Sequence, residues 1–154
     1  MYINLLNLIN QHNDNNVKLD EIKNQYINLL KNLTDTSDIS QKIFMDQIKL
    51  ISNMGNIIIA IEGNIKNFKI IGSGTIIIEP KIIHNASFVA HIEDIVIHPD
   101  FRGLGIAKKI IFMLKDYSKL MNCYKIILNC KDEYNSVYEK CEFIKKGNEM
   151  AYYF

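Results

Sequence analysis

Hydrophobic side chains recur with a helical period in the first third of the chain. From Leu19 to Leu33 the apolar positions are three or four residues apart, which predicts an amphipathic helix. A loop rich in Thr, Ser and Asp follows, and a second helix is predicted on Phe44, Ile48 and Ile51. The preceding segment, Met1–Gln11, fits either a first strand or a short helix.

From Asn56 onward the helical period gives way to short runs of β-branched residues. Gly63, Gly72 and Gly74 punctuate the first runs, which predicts an antiparallel meander. The predicted strands are Ile57–Ile61, Phe68–Ile71, Thr75–Ile78, Ala90–His98, Tyr124–Leu128 and Glu149–Phe154. A long helix after Gly103 and a short one at Tyr134–Cys141 separate the later strands. This order predicts an α/β (α+β) protein in which helices cover both faces of a mixed sheet.

Composition limits the classes of function. The length of 154 residues predicts one domain over 1–154, and a net charge of +1 argues against nucleic acid or a membrane as partner. No apolar run reaches the length of a membrane helix, and the start lacks a basic signal region. The three cysteines are interpreted as reduced core thiols of a cytoplasmic protein, and no metal site is expected.

The segment His91–Ile111, HIEDIVIHPDFRGLGIAKKII, contains the main candidate for chemistry. Its order is strand, glycine-rich loop and helix, so backbone N–H groups and a helix N-terminus could bind a diphosphate. Arg102, the single Arg among 18 basic residues, could add a bidentate contact. The spacing fits neither the Walker A loop nor the dinucleotide fingerprint. It fits the pattern [QR]xxGx[GA], although a plain glycine turn before a helix fits as well.

The segments around this loop resemble a known family. HIEDIVIHPDFRGLGIAKK, NCYKIILNC at Asn122–Cys130, VYEKCEF at Val137–Phe143 and IIIEPKIIH at Ile76–His84 occur in that order and at similar spacing in glucosamine-6-phosphate N-acetyltransferases. The resemblance covers roughly residues 33–154. It implies the GNAT acyl-CoA N-acyltransferase fold, whose central mixed, mainly antiparallel sheet has helices on both faces. It also implies direct transfer of an acetyl group from acetyl-CoA to the 2-amine of the sugar, in the pathway to UDP-N-acetylglucosamine.

The resemblance implies a donor site on the fourth strand and the loop after it. The pantetheine arm would pair with the backbone of a strand that splays from its neighbour, and a backbone N–H near Ile95 would polarise the thioester carbonyl. Tyr138 would lie beside the thioester sulfur. The expected acetyl-CoA-binding residues are Ile95, Val96, Ile97, Arg102, Gly103, Leu104, Gly105, Ile106, Ala107 and Lys108.

The resemblance also implies an acceptor site, and commonly a homodimer that shares it. Glu93 is expected to bind the amine and to act as a base through water, and Lys125 to bind the phosphate. Because Glu93 and Asp94 are successive strand residues, they are expected to point to opposite faces of the sheet. The expected substrate-binding residues are Thr34, Lys81, Ile82, Ile83, His84, Glu93, Asp94, Tyr124, Lys125 and Asn129.

Several positions depart from the family pattern. Asn129 stands where an acidic residue is usual, Glu142 where Gly is usual, and Tyr153 near a position that is commonly basic. The usual Asn before Tyr138 is displaced, with Tyr134 in its place and Asn135 one residue later. Two alternatives therefore stay open: a GNAT enzyme acting on a protein or another small amine, or a CoA-binding module without turnover.

Overall fold

The structure is a computed structural model that describes residues 1–152. Its helices and strands alternate irregularly along the chain. In order they are β1 (Tyr2–Asn4), α1 (Leu5–Asn10), α2 (Asn16–Leu30), α3 (Gln41–Met54), β2 (Gly55–Gly63), β3 (Phe68–Pro80), a short turn at Ile83–Ala86, β4 (Phe88–Ile97), a 3-10 turn at Pro99–Phe101, α4 (Ile106–Leu120), β5 (Cys123–Ile127), a 3-10 turn at Asp132–Tyr134 and α5 (Asn135–Glu139).

The N-terminal segment that the sequence left undecided contains both structures. β1 is followed at once by α1, and Asn4 caps that helix by accepting a hydrogen bond from the Asn7 backbone N–H. Asn15 and Ser40 cap α2 and α3 in the same way. A side-chain oxygen at this position pairs a helix N–H that otherwise has no partner, which fixes where each helix begins.

The predicted division of the segment from Phe68 to Ile78 into two strands was wrong. The two runs that Gly72 and Gly74 were expected to separate form the single strand β3. A Cβ at Gly72 would lie 2.8 Å from Ile97 Cδ1, and one at Gly74 would lie 2.5 Å from Ile95 Cδ1. These glycines therefore allow close packing on one face of the sheet and do not form turns.

The sheet has the order β1-β2-β3-β4-β5. Neighbouring strands are antiparallel except β4 and β5, which are parallel. One apolar cluster joins α1, α2 and α3 to residues such as Ile59 and Val96. A second joins α4 to residues such as Ile76 and Ile92. Helices therefore cover both faces of a mixed, mainly antiparallel sheet, as the sequence predicts.

The C-terminal segment differs from its prediction. A last strand was expected at Glu149–Phe154, but residues 149–152 have no regular secondary structure. Tyr153 and Phe154, the rest of that predicted strand, lie outside the described residues. The interpretation of the cysteines as core thiols holds for the buried Cys141, whereas Cys130 is exposed. Between residues 1 and 152, no helix is both long and apolar enough to cross a membrane.

Candidate active site

The strands β4 and β5 are paired over only part of their length. The paired positions run from Phe88 with Cys123 to His91 with Ile127. β4 then continues to Ile97 with β3 as its paired neighbour. We call this divergence the fork. The predicted donor residues Ile95, Val96 and Ile97 lie on its β4 arm. Because an unpaired strand edge presents backbone N–H and C=O groups, the fork can hydrogen-bond an extended ligand.

The loop after β4 has the backbone expected of an anion site. Gly103 and Gly105 adopt φ angles of 77° and 75°, values that favour glycine. A Cβ at either position would meet no heavy atom within 4 Å, so both glycines face open space. Gly105 precedes α4, and no side chain of residues 1–152 caps that helix. The first N–H groups of α4 are therefore free of a side-chain acceptor, which suits binding of a diphosphate.

The side chains of this loop divide into exposed and anchoring groups. Arg102 Nε donates to the Ile97 carbonyl oxygen at 3.2 Å, which holds the guanidinium at the end of the β4 arm. Leu104 and Lys108 are exposed, whereas Ile106, the first residue of α4, is buried and Ala107 is half-buried. The structure thus brings the predicted loop residues 102–108 together with the fork. Their geometry fits a nucleotide diphosphate whose attached arm enters between β4 and β5.

Tyr138 lies on α5, half-buried, at a cleft beside the fork. The cleft measures about 920 Å³ and is also lined by Lys125 and Asn129 of the β5 segment and by residues 142–149. The Tyr138 ring packs edge-on against Phe143 with centroids 6.2 Å apart. Burial, with smaller contributions from nearby groups such as Cys130, raises the pKa of Tyr138 to about 12. The phenol therefore keeps its proton throughout the neutral pH range.

A β-bulge in β4 begins directly after Glu93, the first acidic residue of HIED, and includes Asp94, the second. Thr75 pairs with Glu93 and Ser73 with Val96, so two residues of β4 face only Gly74. Asp94, one of these two, has a φ of 52°. Strict alternation is broken, since Ile92 and Ile95 belong to the same apolar cluster although they are three positions apart. The rule that placed Glu93 and Asp94 on opposite faces therefore does not apply here.

Both carboxyl groups are exposed at the mouth of this site, yet they are partly desolvated. Desolvation raises the pKa of Glu93, the negative charge of Asp94 raises it further, and His91 opposes these effects. Desolvation also raises the pKa of Asp94. Neither carboxylate forms a hydrogen bond or ion pair with another group in residues 1–152. Glu93 is therefore available to a cationic or amine ligand.

The predicted phosphate side of the acceptor site is partly assembled. The His84 ring stacks on the Tyr124 ring with centroids 4.1 Å apart, and Lys125 Nζ lies 5.6 Å from the centre of the same ring. His84, Asn85 and Ala86 all have φ near 55°, so the turn is left-handed. Such a backbone is unfavourable for these residues and persists only where surrounding contacts hold it.

A charged trio at the base of the fork was missed by the sequence reasoning. Glu79 accepts a hydrogen bond from Lys81 and lies 2.9 Å from His91 Nε2. The hydrogen bond from Lys81 lowers the pKa of Glu79, and the contact with His91 lowers it further. Lys81 was predicted as a substrate residue, and the structure ties it to Glu79. Strand alternation in β3 and β4 was the available signal, because Glu79 pairs with Val89, two positions from His91.

Three predicted substrate residues are not brought to this cluster. Thr34 is exposed just after α2, and its backbone contacts are with Leu30 and Thr36. The side chains of Ile82 and Ile83 are 96% and 62% exposed, so they project into solvent.

The residues that depart from the family pattern make specific contacts in the structure. Glu142 stands where Gly is usual and has a φ of 70°, while its carboxylate accepts a hydrogen bond from Lys115 at 2.5 Å. Asn135 donates to Asp132 Oδ1 at 3.1 Å and accepts from Cys130 Sγ at 3.5 Å. Asn129 lines the cleft beside Tyr138, where it contributes an amide and no charge. Residues 1–152 contain no cluster of His, Cys, Asp or Glu suited to hold a metal ion.

The segment that contains the fork, the glycine loop and α4 matches a known family. The family model described as acetyltransferase (GNAT) family matches residues 27–143. The chain belongs to this family. The match includes the fork, the loop and Tyr138 of this GNAT protein.

Known proteins and structures show more specific similarity. Glucosamine 6-phosphate N-acetyltransferase of Arabidopsis thaliana is 34% identical over 140 residues, which are 90% of this chain and 93% of that protein. Glucosamine 6-phosphate N-acetyltransferase 1 of Dictyostelium discoideum is 35% identical over 137 residues, 88% of this chain and 86% of that protein. The crystal structure of the A. thaliana enzyme matches with a TM-score of 0.81 and 33% identity, covering 88% of this chain and 93% of that one. The predicted GNAT fold and the resemblance to these enzymes are confirmed, while the roles of individual residues stay predictions.

Proposed function

We propose that this chain transfers the acetyl group of acetyl-CoA to the 2-amine of glucosamine 6-phosphate, giving N-acetylglucosamine 6-phosphate. The observation that carries this proposal is the position of the fork, which joins an anion-binding loop on one side to a cleft with Tyr138 and Lys125 on the other. Relatives named for this reaction, similar over nine tenths of the chain, support the choice of acceptor.

The donor half would bind mainly through the backbone. N–H groups of residues 103–108 and the Arg102 guanidinium would hold the diphosphate, while the backbone of Ile95–Ile97 pairs with the pantetheine arm. Bound acetyl-CoA supplies the acetyl group as an activated thioester. A backbone N–H near Ile95 would polarise its carbonyl, and one such donor contributes on the order of 3 kcal/mol to the transition state.

Tyr138 is proposed to stabilise the leaving thiolate through a hydrogen bond. Its pKa of about 12 keeps the phenol protonated. A thiol has a pKa of about 8.5, so full proton transfer from this phenol to a thiolate would be uphill by several kcal/mol. A short hydrogen bond from the phenol to the sulfur is therefore favoured over complete transfer.

The acceptor half would bind through side chains. Glu93 has a partly desolvated carboxylate without a hydrogen-bond partner in residues 1–152, which suits the sugar amine and the loss of its proton. Lys125 lines the cleft and is proposed to bind the phosphate. Holding the two substrates in contact supplies much of the acceleration, because a bimolecular step becomes effectively unimolecular.

The wider setting of the reaction is also a proposal. The product is expected to feed UDP-N-acetylglucosamine synthesis, in the cytoplasm, where the free thiols of Cys123, Cys130 and Cys141 are typical. A homodimer is supported by the exposed apolar residues along β5 and the adjacent turn, Tyr124, Ile127 and Ile82. Edge strands with such residues commonly pair with a second chain.

One assay tests the reaction and the acceptor together. Release of CoA thiol from acetyl-CoA is measured with glucosamine 6-phosphate, glucosamine or a peptide as acceptor, and the product is identified by mass. Turnover that is fastest with the phosphorylated sugar is expected. Turnover with the peptide alone would move the chain to another GNAT activity, and saturable CoA binding without thiol release would indicate a binding module.

A further inference from the structure

The Thr75 hydroxyl is buried and meets no hydrogen-bond partner in the described part of the chain. Thr75 is 3% exposed, and its Oγ1 forms no hydrogen bond within residues 1–152. Buried side-chain hydroxyls are nearly always paired with a protein group or an ordered water. Thr75 lies directly opposite Glu93 in the β3–β4 register, so the two side chains share a face of the sheet.

A second hydroxyl beside Thr75 also has unused hydrogen-bonding capacity. Ser73 Oγ donates to Tyr26 Oη at 3.3 Å, and no acceptor in the described chain receives the phenol proton of Tyr26. Tyr26 is 5% exposed, and burial raises its pKa to about 12, so the phenol stays protonated. The Thr75 hydroxyl is close enough to lower this pKa slightly, although it is not in hydrogen-bond geometry.

The β-bulge lies beside Thr75 and Ser73 in the β3–β4 register. Asp94 is inserted between the Thr75–Glu93 and Ser73–Val96 pairs, and its charge is felt by Tyr26. Bulges beside active sites commonly turn side chains toward a ligand and open the ladder locally. A buried water requires two to four polar partners, which Thr75, Tyr26 and a carboxylate at the mouth of the site can supply.

We propose that the hydroxyls of Thr75 and Tyr26 hold one ordered water beside Glu93, and that Thr75 is a positioning residue for removal of the proton from the acceptor amine. This inference rests on the proposed acetyltransferase function. In the step, an N–H bond of the ammonium breaks and its proton moves to the water, while a proton of that water moves to the Glu93 carboxylate. The amine gains a free electron pair for attack, and the water is regenerated.

Several charged groups set the charge of Glu93 and must be considered in any pH profile. Asp94 and Glu149 oppose its ionisation, whereas His91 favours it. His91 in turn contacts Glu79, which also holds Lys81. Variants at Thr75 leave all these charges in place, so they isolate the contribution of the hydroxyl.

The test compares Thr75→Val, which removes the hydroxyl at nearly constant shape, with Thr75→Ser, which keeps it. We expect Thr75→Val to lower kcat for glucosamine 6-phosphate about tenfold near pH 6.5, with KM for acetyl-CoA unchanged. The deficit should shrink to within about twofold near pH 9, where an amine with a pKa of about 8 is already neutral in solution. Thr75→Ser should retain activity within about twofold of wild type at both pH values.

Thermal stability shows whether Thr75 has a purely structural role or acts on the reaction. Because the proposed partner of the Thr75 hydroxyl is a water and not a protein group, the Tm of Thr75→Val should stay close to that of wild type. Ile76→Val, on the other face of the same strand, should lower Tm and leave the pH profile unchanged. A Thr75→Val variant with wild-type kcat at pH 6.5, or a Thr75→Ser variant equally impaired, would overturn the proposal.

A crystal structure keeps this inference separate from the proposed function. We expect electron density for a water within hydrogen-bond distance of both Thr75 Oγ1 and Tyr26 Oη in the wild-type protein, and its loss in Thr75→Val. Density at neither hydroxyl would refute the water site even in an active enzyme. A wild-type protein inactive with every acceptor would refute the proposed function, while the water would still be decided by the density.

Discussion

The two halves of the site bind by different means. The donor half, formed by the β4 arm of the fork and residues 102–108, presents backbone N–H groups, and two of its glycines face open space. The proposed acceptor half would instead bind through side chains such as Glu93 and Lys125. The departures from the family pattern at Asn129 and Glu142 lie in the acceptor half. A site made by backbone geometry tolerates substitution, whereas a site made by side chains changes with each replacement.

The largest effect is expected where the two halves meet. Replacement Tyr138→Phe should lower kcat about 100-fold, since it removes the donor to the leaving thiolate. The KM for acetyl-CoA should change little, because binding of the diphosphate and arm lies with the backbone. Steady-state kinetics measures both constants, and wild-type turnover would remove Tyr138 from the mechanism. With a pKa of about 12, Tyr138 should cause no loss of wild-type kcat up to roughly pH 10.

A second prediction tests whether backbone shape controls the donor half. Gly105→Ala should raise KM for acetyl-CoA about tenfold, because alanine disfavours this φ and its Cβ enters the space proposed for the diphosphate. The KM for the sugar phosphate should stay the same. Gly147→Ala is the matched control, since Gly147 has a φ of 70° and equally open surroundings. An equal rise in KM for acetyl-CoA in both variants would show that the effect is general strain.

A third prediction tests whether one side chain controls the acceptor half. Lys125→Ala should raise KM for glucosamine 6-phosphate about fivefold, as loss of one partly exposed charged contact costs about 1 kcal/mol. The KM for unphosphorylated glucosamine should be unaffected, and Lys49→Ala on α3 should change neither. If KM for glucosamine 6-phosphate stays at its wild-type value, the phosphate binds elsewhere.

The smallest expected effect concerns the stability of the acceptor half. Glu142→Gly should raise the free energy of unfolding by about 1 kcal/mol, because glycine tolerates a positive φ and the lost surface ion pair with Lys115 is weak. Glu142→Gln keeps the backbone strain and should not stabilise the protein. Denaturant unfolding measures both variants, and a destabilised Glu142→Gly would show that the contact with Lys115 outweighs the strain.

The fold was largely predictable because its main signals are local. Helical spacing of apolar residues and the glycine loop before α4 need no knowledge of distant contacts. The continuity of β3 as a single strand was not predictable in this way. Gly72 and Gly74 are required by close packing against Ile97 and Ile95 of the neighbouring strand, which lie far away in sequence.

The site was predictable where a motif encodes backbone shape, and less so where strands meet. The loop at 102–108 follows from one continuous segment, whereas the divergence of β4 from β5 was expected only from the family resemblance. The contact between Glu79 and His91, and the position of Thr75 opposite Glu93, depend on the β3–β4 register. The bulge at Asp94 shifts that register, and alternation along a single strand gives no sign of such an insertion.

The fork also has a consequence for the design of selective inhibitors. A compound that imitates the carrier arm would meet the backbone of the proposed donor half, which substitutions of side chains change little. A compound extending into the cleft would also meet the amide of Asn129, where the family resemblance predicts an acidic residue. The part of an inhibitor that makes it selective for this protein should therefore contact the cleft on the β5 side. The part that imitates the carrier arm would contribute only affinity.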